Sequence, residues 1–264
     1  GSSGNKIRRM KVTIVGSGNL ATNLSAALKS CGKVEFAQVY SRTEDNAKKL
    51  AGNLGCDFTT NASQILPGSD LYIFSLKDSC LEEVLSQVPE NDGLWVHTAG
   101  RVPMEVFKPY AKRYGVFYPL QTFSKQRIVD FSRIPIFIEA CDGENLSILE
   151  NLGLSISSNV RVLSSEKRRN IHLAAVFACN FTNHIYALAA NILEDADIPF
   201  DVLLPLIDET VSKVHQIPPR EAQTGPAVRY DENVINKHLN MLSDPMMNEI
   251  YRLLSQSIHK ESTK

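Results

Sequence analysis

A glycine-rich turn near the start of the chain offers backbone groups to a phosphate ligand. The sequence Gly16-Ser17-Gly18-Asn19-Leu20-Ala21 follows the apolar run Met10 to Val15 and opens a segment with helical spacing. In a strand–turn–helix of this G-x-G-x-x-A kind, the first glycine permits the tight turn and the second lets the backbone approach a pyrophosphate. The predicted cofactor-binding residues of this turn are Gly16, Ser17, Gly18, Asn19 and Leu20. The alternative is an ordinary turn without a ligand.

Two further segments are predicted to contact the same cofactor. The second strand ends at Tyr40 and is followed by Ser41 and Arg42, where an NAD-binding domain usually has a carboxylate for the ribose diol. A hydroxyl and a guanidinium suit the 2′-phosphate of NADP(H) instead, although Arg42 could be a solvated loop residue. The loop after the strand Leu71 to Phe74 adds Ser75, Leu76 and Lys77 to the cofactor-binding candidates. It could equally be a surface turn.

A histidine at the end of the strand Leu94 to His97 is the first catalytic candidate. Ligands of open α/β sheets bind at the carboxyl ends of the strands, so His97 could donate a proton there with a pKa near neutrality. A structural histidine bonded to loop backbone is the alternative. Neighbouring residues that could bind a small substrate are Thr98, Gly100, Gln121 and Thr122.

The segment Ser165 to Leu193 is predicted to form one long, buried central helix with a polar stripe. At about 100° per residue, His172, Asn180, Asn183, His184 and Asn191 share roughly one third of its circumference. Asn180 and His184 are therefore predicted to orient a substrate, and are the second and third catalytic candidates. The alternative is a polar seam satisfied by the neighbouring domain or by a second subunit.

A glycine-containing loop near the C-terminus could also contact the substrate. Gln223 and Thr224 precede Gly225 there, and Asp231 follows a few residues later. The side chains of Gln223, Thr224 and Arg229 could bind a carboxylate beside this flexible glycine. Asp231 could instead cap a helix.

Short apolar strands alternate with helical segments in the first half of the chain, whereas the second half is entirely helical. This pattern predicts a doubly wound, mainly parallel α/β sheet followed by an all-α domain, with domains at 10–163 and 164–264. The predicted strands are Met10–Val15, Val34–Tyr40, Leu71–Phe74, Leu94–His97, Gly115–Tyr118, Ile134–Ala140 and Val160–Leu163. The predicted helices include Leu20–Lys29, Glu44–Leu54, Val202–Val214, Asp231–Leu242 and Pro245–His259.

Composition narrows the class of protein. A formal net charge of −1 and 22% charged residues give no broad basic surface for nucleic acid. The longest apolar stretch, Leu173 to Leu193, contains four Asn or His residues that would be costly in a membrane. Five scattered cysteines without metal-ligand spacing suit a reducing cytoplasm and no metal site. The opening Gly1-Ser2-Ser3-Gly4 is typical of a cloning remnant.

The glycine turn and Ser41-Arg42 together resemble reductases of the pyrroline-5-carboxylate reductase and F420-dependent NADP oxidoreductase type. Three further stretches are more specific: His97-Thr98-Ala99-Gly100, Tyr118-Pro119-Leu120-Gln121-Thr122-Phe123 and Gln223-Thr224-Gly225-Pro226-Ala227. They resemble a bacterial family of NADP oxidoreductases in which a Rossmann-like domain precedes a helical domain of unknown function. The resemblance extends from about Met10 to Ile258. It implies a C-terminal domain of the 6-phosphogluconate dehydrogenase kind and a homodimer formed through the C-terminal helices.

The expected function is hydride transfer between NADP(H) and a small carbonyl or imine substrate held between the two domains. Relatives that oxidise β-hydroxyacids carry a lysine four residues before an asparagine on the first long helix of the second domain. Here Val176 stands four residues before Asn180, and Cys179 four before Asn183, so neither asparagine has the lysine. This difference argues against simple hydroxyacid oxidation. Two alternatives stay open: a non-catalytic NADP(H)-binding sensor or scaffold, and a deazaflavin-dependent reductase.

Overall fold

The computed structural model describes residues 8–264, so the opening Gly1–Gly4 segment lies outside the described residues. Eight strands form one sheet: β1 Met10–Val15, β2 Val34–Tyr40, β3 Asp57–Thr59, β4 Leu71–Phe74, β5 Leu94–His97, β6 Arg113–Pro119, β7 Ile136–Ala140 and β8 Val160–Val162. Four helices are interleaved with them: α1 Asn19–Cys31, α2 Glu44–Leu54, α3 Asp78–Gln87 and α4 Gly143–Leu154.

The strand order in the sheet is β3-β2-β1-β4-β5-β6-β7-β8. All neighbouring strands are parallel except β6 and β7, which pair antiparallel. The order reverses between β1 and β4, which leaves a crevice at the carboxyl ends of the strands where such sheets bind ligands. The predicted doubly wound, mainly parallel sheet is confirmed.

Apolar residues cover both faces of the sheet. β4 and β5 are buried along their whole length and β1 over its last four residues, as expected for central strands packed on two sides. Of three core clusters in the described part of the chain, one includes Leu24, Leu28 and Phe117, the second is built around Trp95 and Phe107, and a small third one contains Val116, Tyr118 and Phe137. The alternation of inward residues on β5 places His97 on the same face as Trp95.

The helical half begins with α5 Ser165–Ala175, followed by a π-helical turn Val176–Phe181 and α6 Thr182–Asp195. Four helices follow: α7 Leu204–Gln216, α8 Pro219–Ala222, α9 Glu232–Met241 and α10 Pro245–Ser262. The change from strands to helices falls at Ser165, next to the predicted domain boundary. The chain divides into compact units later, between Cys179 and Asn180, inside the π-helical turn.

The prediction of one uniform helix over Ser165 to Leu193 is wrong at the π-helical turn. A π turn bonds residue i to i+5 and changes the angular spacing, so the stripe calculated from His172 does not extend unchanged to Asn180 and His184. None of the described residues from Val176 to Asp195 is buried in the single chain. The expected burial of this helix therefore stays a prediction that requires a second subunit.

By length and composition alone, the 31-residue run Ser165–Asp195 could cross a membrane, since the mean hydropathy of its most apolar window is 1.3. Core helices of soluble proteins pass the same test. The asparagine and histidine side chains in this run would be costly in hydrocarbon. The run is therefore weak support for a membrane span.

Candidate functional site

The glycine turn has the geometry that a close phosphate approach requires. Gly16 has a φ of +124°, and a Cβ added to it would lie 2.1 Å from the carbonyl oxygen of Ser75. Only glycine therefore fits there. A Cβ added to Gly18 would meet nothing within 4 Å, so the space in front of this residue is open. Gly18 precedes α1 and has no side chain to cap it, which leaves the first N–H groups of the helix available to an anion.

Three of the predicted cofactor-binding segments meet around this turn. Gly16 N–H donates to the carbonyl oxygen of Tyr40, with 2.8 Å between the atoms, at the end of β2. Ser75 N–H donates to the carbonyl oxygen of Val15 at 2.8 Å, at the end of β4. The Oγ atoms of Ser17 and Ser41 are 2.6 Å apart. The ends of β1, β2 and β4 thus form one connected edge.

Arg42 projects from this edge with its side chain exposed. It forms no ion pair with any residue in the range 8–264. Burial raises the pKa of the neighbouring Tyr40 phenol, and the positive charge of Arg42 opposes that rise. An unpaired guanidinium beside a hydroxyl is a suitable receptor for a phosphate group.

The loop after β4 is tied to the loop after β5. Asp78, the first residue of α3, accepts a hydrogen bond from Arg101 Nε, and the two atoms are 2.6 Å apart. Lys77 precedes it with an exposed side chain, and Ser75 and Leu76 are half-buried. Asp78 therefore has a partner in the protein, whereas Lys77 is directed to solvent.

His97 is enclosed rather than exposed to a ligand. Its side chain is 1% exposed and stacks on Phe107, with 5.5 Å between the ring centroids. Burial, reinforced by the Arg168 charge, lowers the pKa of His97 from 6.5 to about 4. The expected pKa near neutrality is wrong, because the site excludes the water that would stabilise the imidazolium.

The hydrogen bonds of His97 define its neutral form. Nδ1 accepts from the backbone N–H of Ala99 at 3.1 Å, so the neutral ring carries its proton on Nε2. Nε2 is buried and has no hydrogen-bond partner among residues 8–264, although the Val102 and Pro103 backbone lies near it. His97 therefore contacts the backbone of the loop that follows β5.

A buried arginine that sequence reasoning missed holds this loop. The Arg168 side chain is 1% exposed, and its Nη1 donates to Glu139 Oε2 at 2.7 Å. Its Nε donates to the carbonyl oxygen of Ala99 at 3.2 Å, and its Nη2 to that of Val102. Ser165 Oγ donates to the same Glu139 oxygen at 2.8 Å. In the sequence, Lys167-Arg168-Arg169 is indistinguishable from a solvated charge run.

Gly100, a predicted substrate contact, leaves space for a neighbouring side chain. A Cβ added to Gly100 would lie 2.7 Å from the Cβ, Cγ and Nδ1 atoms of His172. The His172 ring also faces Tyr118 at the end of β6, with 3.4 Å between Nδ1 and the phenol oxygen. The space beside Gly100 is thus occupied by a histidine ring, and the role of Gly100 as a substrate contact stays a prediction. Thr98 is buried, with 6% exposure.

The other substrate candidates of the first unit lie on an exposed loop. The side chains of Gln121 and Thr122 are exposed, and Gln121 Oε1 accepts from the Thr122 N–H at 2.9 Å. The loop is fastened by Asn23 of α1, whose Nδ2 donates to the Ser124 carbonyl oxygen at 2.9 Å and whose Oδ1 accepts from Val129 N–H at 3.0 Å. The fully buried Asn23 gave no functional signal in the sequence.

The remaining candidates belong to the second compact unit. Asn180 lies in the π-helical turn and His184 in α6, and both are exposed. Gln223 and Thr224 are exposed in a loop, where Gln223 Nε2 donates to the Thr224 carbonyl oxygen at 3.1 Å. Asp231 caps α9 through Val234 N–H at 3.5 Å, as its structural alternative predicts. The substrate roles of Asn180, His184, Gln223 and Thr224 stay predictions.

Two family matches divide the chain. Residues 11–97 match the family described as NADP oxidoreductase, coenzyme F420-dependent. Residues 134–258 match a domain of unknown function, DUF2520. No curated protein matches this sequence.

Solved structures with the same fold include an imine reductase and a pyrroline-5-carboxylate reductase. An imine reductase from Myxococcus stipitatus in complex with NADP+ is 13% identical over 95% of this chain and 92% of that one, with a TM-score of 0.65. A pyrroline-5-carboxylate reductase from Coxiella burnetii is 16% identical over 97% and 98% of the two chains, with a TM-score of 0.58. At these identities the likeness concerns the fold alone.

A much closer structure is that of a putative NADP oxidoreductase from Bacteroides fragilis. It is 51% identical over 97% of this chain and 100% of that one, with a TM-score of 0.90. Similarity of this extent covers both the nucleotide-binding and the helical halves. The chain therefore belongs to the same family of NADP oxidoreductases, with the DUF2520 domain at its C-terminal end.

Proposed function

We propose that the protein transfers a hydride between NADP(H) and a small carbonyl or imine substrate. The observation that carries the cofactor assignment is the edge formed by Gly16, Ser17, Ser41 and Arg42. The α1 N-terminus offers N–H groups to a pyrophosphate, and the open space at Gly18 lets that group approach. When bound, the dihydronicotinamide supplies the hydride.

The choice of NADP over NAD depends on the end of β2. A carboxylate at this point would bind the ribose diol and repel a 2′-phosphate. Ser41 stands there instead, 2.6 Å from Ser17, and the next residue is the exposed and unpaired Arg42. A guanidinium can form two charge-assisted hydrogen bonds to a phosphate, so it favours NADP.

Arg42→Ala tests this assignment. NADPH binding should weaken by roughly 10- to 100-fold, or about 1.5–3 kcal/mol, whereas NADH binding should barely change. Fluorescence titration of bound NADPH and NADH measures both. Arg133→Ala is the matched control, because Arg133 is also exposed but precedes β7, five strands from β2 in the sheet. If Arg42→Ala weakens the binding of NADPH and NADH equally, or weakens the binding of neither, the NADP assignment is contradicted.

The two alternatives make different predictions in a turnover assay. A sensor or scaffold would bind NADPH without oxidising it in the presence of any ketoacid or imine. A deazaflavin-dependent enzyme, which the match of residues 11–97 favours, would oxidise NADPH when coenzyme F420 is added. The proposed enzyme would oxidise NADPH with a small carbonyl or imine compound alone.

We also propose that the helical half pairs with a second copy of this chain. Large apolar side chains are exposed along several of its helices, among them Ile185, Ile192, Leu206, Val211 and Leu253. Apolar exposure on this scale marks an interface on a soluble protein. A net charge of −1 gives two copies little mutual repulsion. A substrate site between the two domains and a cytoplasmic location stay predictions.

A further inference from the structure

Tyr118 and His172 form a polar pair at the carboxyl edge of the sheet. The Tyr118 phenol oxygen and His172 Nδ1 are 3.4 Å apart, and their ring centroids are 6.5 Å apart at an interplanar angle of 64°. That is long for a hydrogen bond, as pairs that act in catalysis often are before a substrate binds. Tyr118 is 8% exposed and His172 is half-buried, so neither ring is fully enclosed.

The position of the histidine ring is fixed from two sides. Gly100 leaves the space that the ring occupies, since any Cβ there would collide with it at 2.7 Å. One turn earlier on α5, Arg168 is bonded to Ala99 and to Glu139 of β7, which anchors the helix on the same loop. The charged groups near the pair are therefore Arg168, from the helix itself, and Glu139, which is already bonded to Arg168.

The pair lies on the part of the sheet where a nicotinamide ring would be bound. Gly16 is at the carboxyl end of β1, and β4, β5 and β6 follow it in order across the sheet. Tyr118 is the second-last residue of β6, which lies beside β5, and the last residue of β5, His97, pairs with Val116. In such sheets the adenosine half of a dinucleotide lies over the strands on one side of the switch point and the nicotinamide half over the other.

The Tyr118 phenol is suited to donate a proton in that it is protonated at neutral pH, but its raised pKa makes it a weaker acid than an ordinary tyrosine. Burial raises the pKa of Tyr118, and the positive charge of Arg168 opposes that change only in part. Tyr118 therefore keeps its proton at neutral pH. His97 lacks this suitability, because its ring is sealed between Phe107 and the loop backbone.

We propose that Tyr118 is the proton donor for the carbonyl or imine substrate and that His172 is the positioning residue that returns its proton. This inference rests on the proposed hydride transfer. As the hydride bonds to the substrate carbon, the π electron pair of the C=O or C=N bond moves to the heteroatom. The heteroatom takes the proton from Tyr118 Oη, and the resulting phenolate takes the Nδ1 proton of His172 while Nε2 of the same ring accepts a proton from solvent. The ring thus carries one proton before and after the step, and exchange with solvent returns that proton to Nδ1. One hydride and one proton are consumed per substrate.

Tyr118→Phe removes only the phenol oxygen and is the main test. The probes are 2-methyl-1-pyrroline as the imine and pyruvate as the ketoacid, with NADPH oxidation followed by absorbance. We expect kcat to fall by about 100-fold or more, while the Kd of NADPH from fluorescence titration changes less than about 2-fold. Tyr114→Phe is the matched control, because Tyr114 lies on the same strand and face, at the amino end. It should leave both values unchanged.

His172→Ala separates proton return from structural support. We expect kcat to fall on the order of 10-fold and added imidazole to restore it, whereas imidazole should not restore Tyr118→Phe. Independently of any substrate, Tyr118→Phe should move the ¹⁵N resonances of the His172 ring in the full-length protein.

The possible failures are distinguishable. If the wild type does not bind NADPH, the proposed function itself fails. If it binds NADPH and reduces a probe, but Tyr118→Phe retains kcat within about 3-fold, the donor assignment is overturned and the function stands. Unchanged His172 resonances in Tyr118→Phe overturn the pair. A wild type that binds NADPH yet reduces neither probe overturns the substrate class on which the inference depends.

Discussion

The buried pair of Arg168 and Glu139 should be the main electrostatic support of the loop that follows β5. Arg168→Met keeps the length and apolar stem of the side chain but removes its charge and its donors. Glu139 would then be an unpaired carboxylate, 18% exposed, and the Ala99 and Val102 carbonyl oxygens would lose their donor. Removing one partner of a buried ion pair costs about 3–5 kcal/mol. The partial exposure of Glu139 places the expected loss near the lower value, about 3 kcal/mol.

Urea unfolding at fixed protein concentration measures this loss. With an m value of about 3 kcal/mol/M, the midpoint should fall by about 1 M. Arg101→Met is the matched control. Arg101 and Asp78 are also in close contact, at 2.6 Å, but the Arg101 side chain is 68% exposed, so its loss should have little effect. The double variant Arg168→Met/Glu139→Leu should recover part of the loss, since it leaves no buried charge unpaired. If Arg168→Met costs no more than Arg101→Met, the reasoning from burial is refuted.

Two further predictions concern protonation and assembly. Because His97 has a pKa of about 4 in the folded protein against 6.5 in an unfolded chain, the unfolded state binds the proton first as pH falls. The free energy of unfolding, measured from urea midpoints, should therefore decrease by roughly 3 kcal/mol between pH 6.5 and 4. His97→Gln should remove that part of the pH dependence. If the variant loses stability with falling pH as steeply as the wild type does, the burial of a neutral His97 ring is contradicted. Light scattering at micromolar concentration should report twice the chain mass of 29.3 kDa, and a monomer would contradict the proposed pairing of helical halves.

Features set by neighbouring residues were predictable from the sequence. The strand–turn–helix around Gly16 depends on local spacing and on the positive φ that glycine tolerates, and the structure has both. Seven of the eight strands were predicted, most of them with their bounds, because a buried strand is a short apolar run bounded by turn residues. The missing one, β3, is only three residues long. The π-helical turn was not predictable, because its residues satisfy an ordinary helical pattern.

The environment of the candidate catalytic groups depended on the tertiary structure. Arg168 and Glu139 are 29 residues apart, and Tyr118 and His172 are 54 apart, so only the packing of α5 against the sheet joins them. The sequence predicted that His97 ends a strand at the carboxyl edge of the sheet, and the structure places it there. Its protonation depends on how much water reaches the ring, which is a property of packed neighbours rather than of sequence spacing. The sequence by itself therefore determined the nucleotide-binding turn and the order of elements, whereas tertiary packing decided which side chains at that edge are buried, paired or free to exchange a proton.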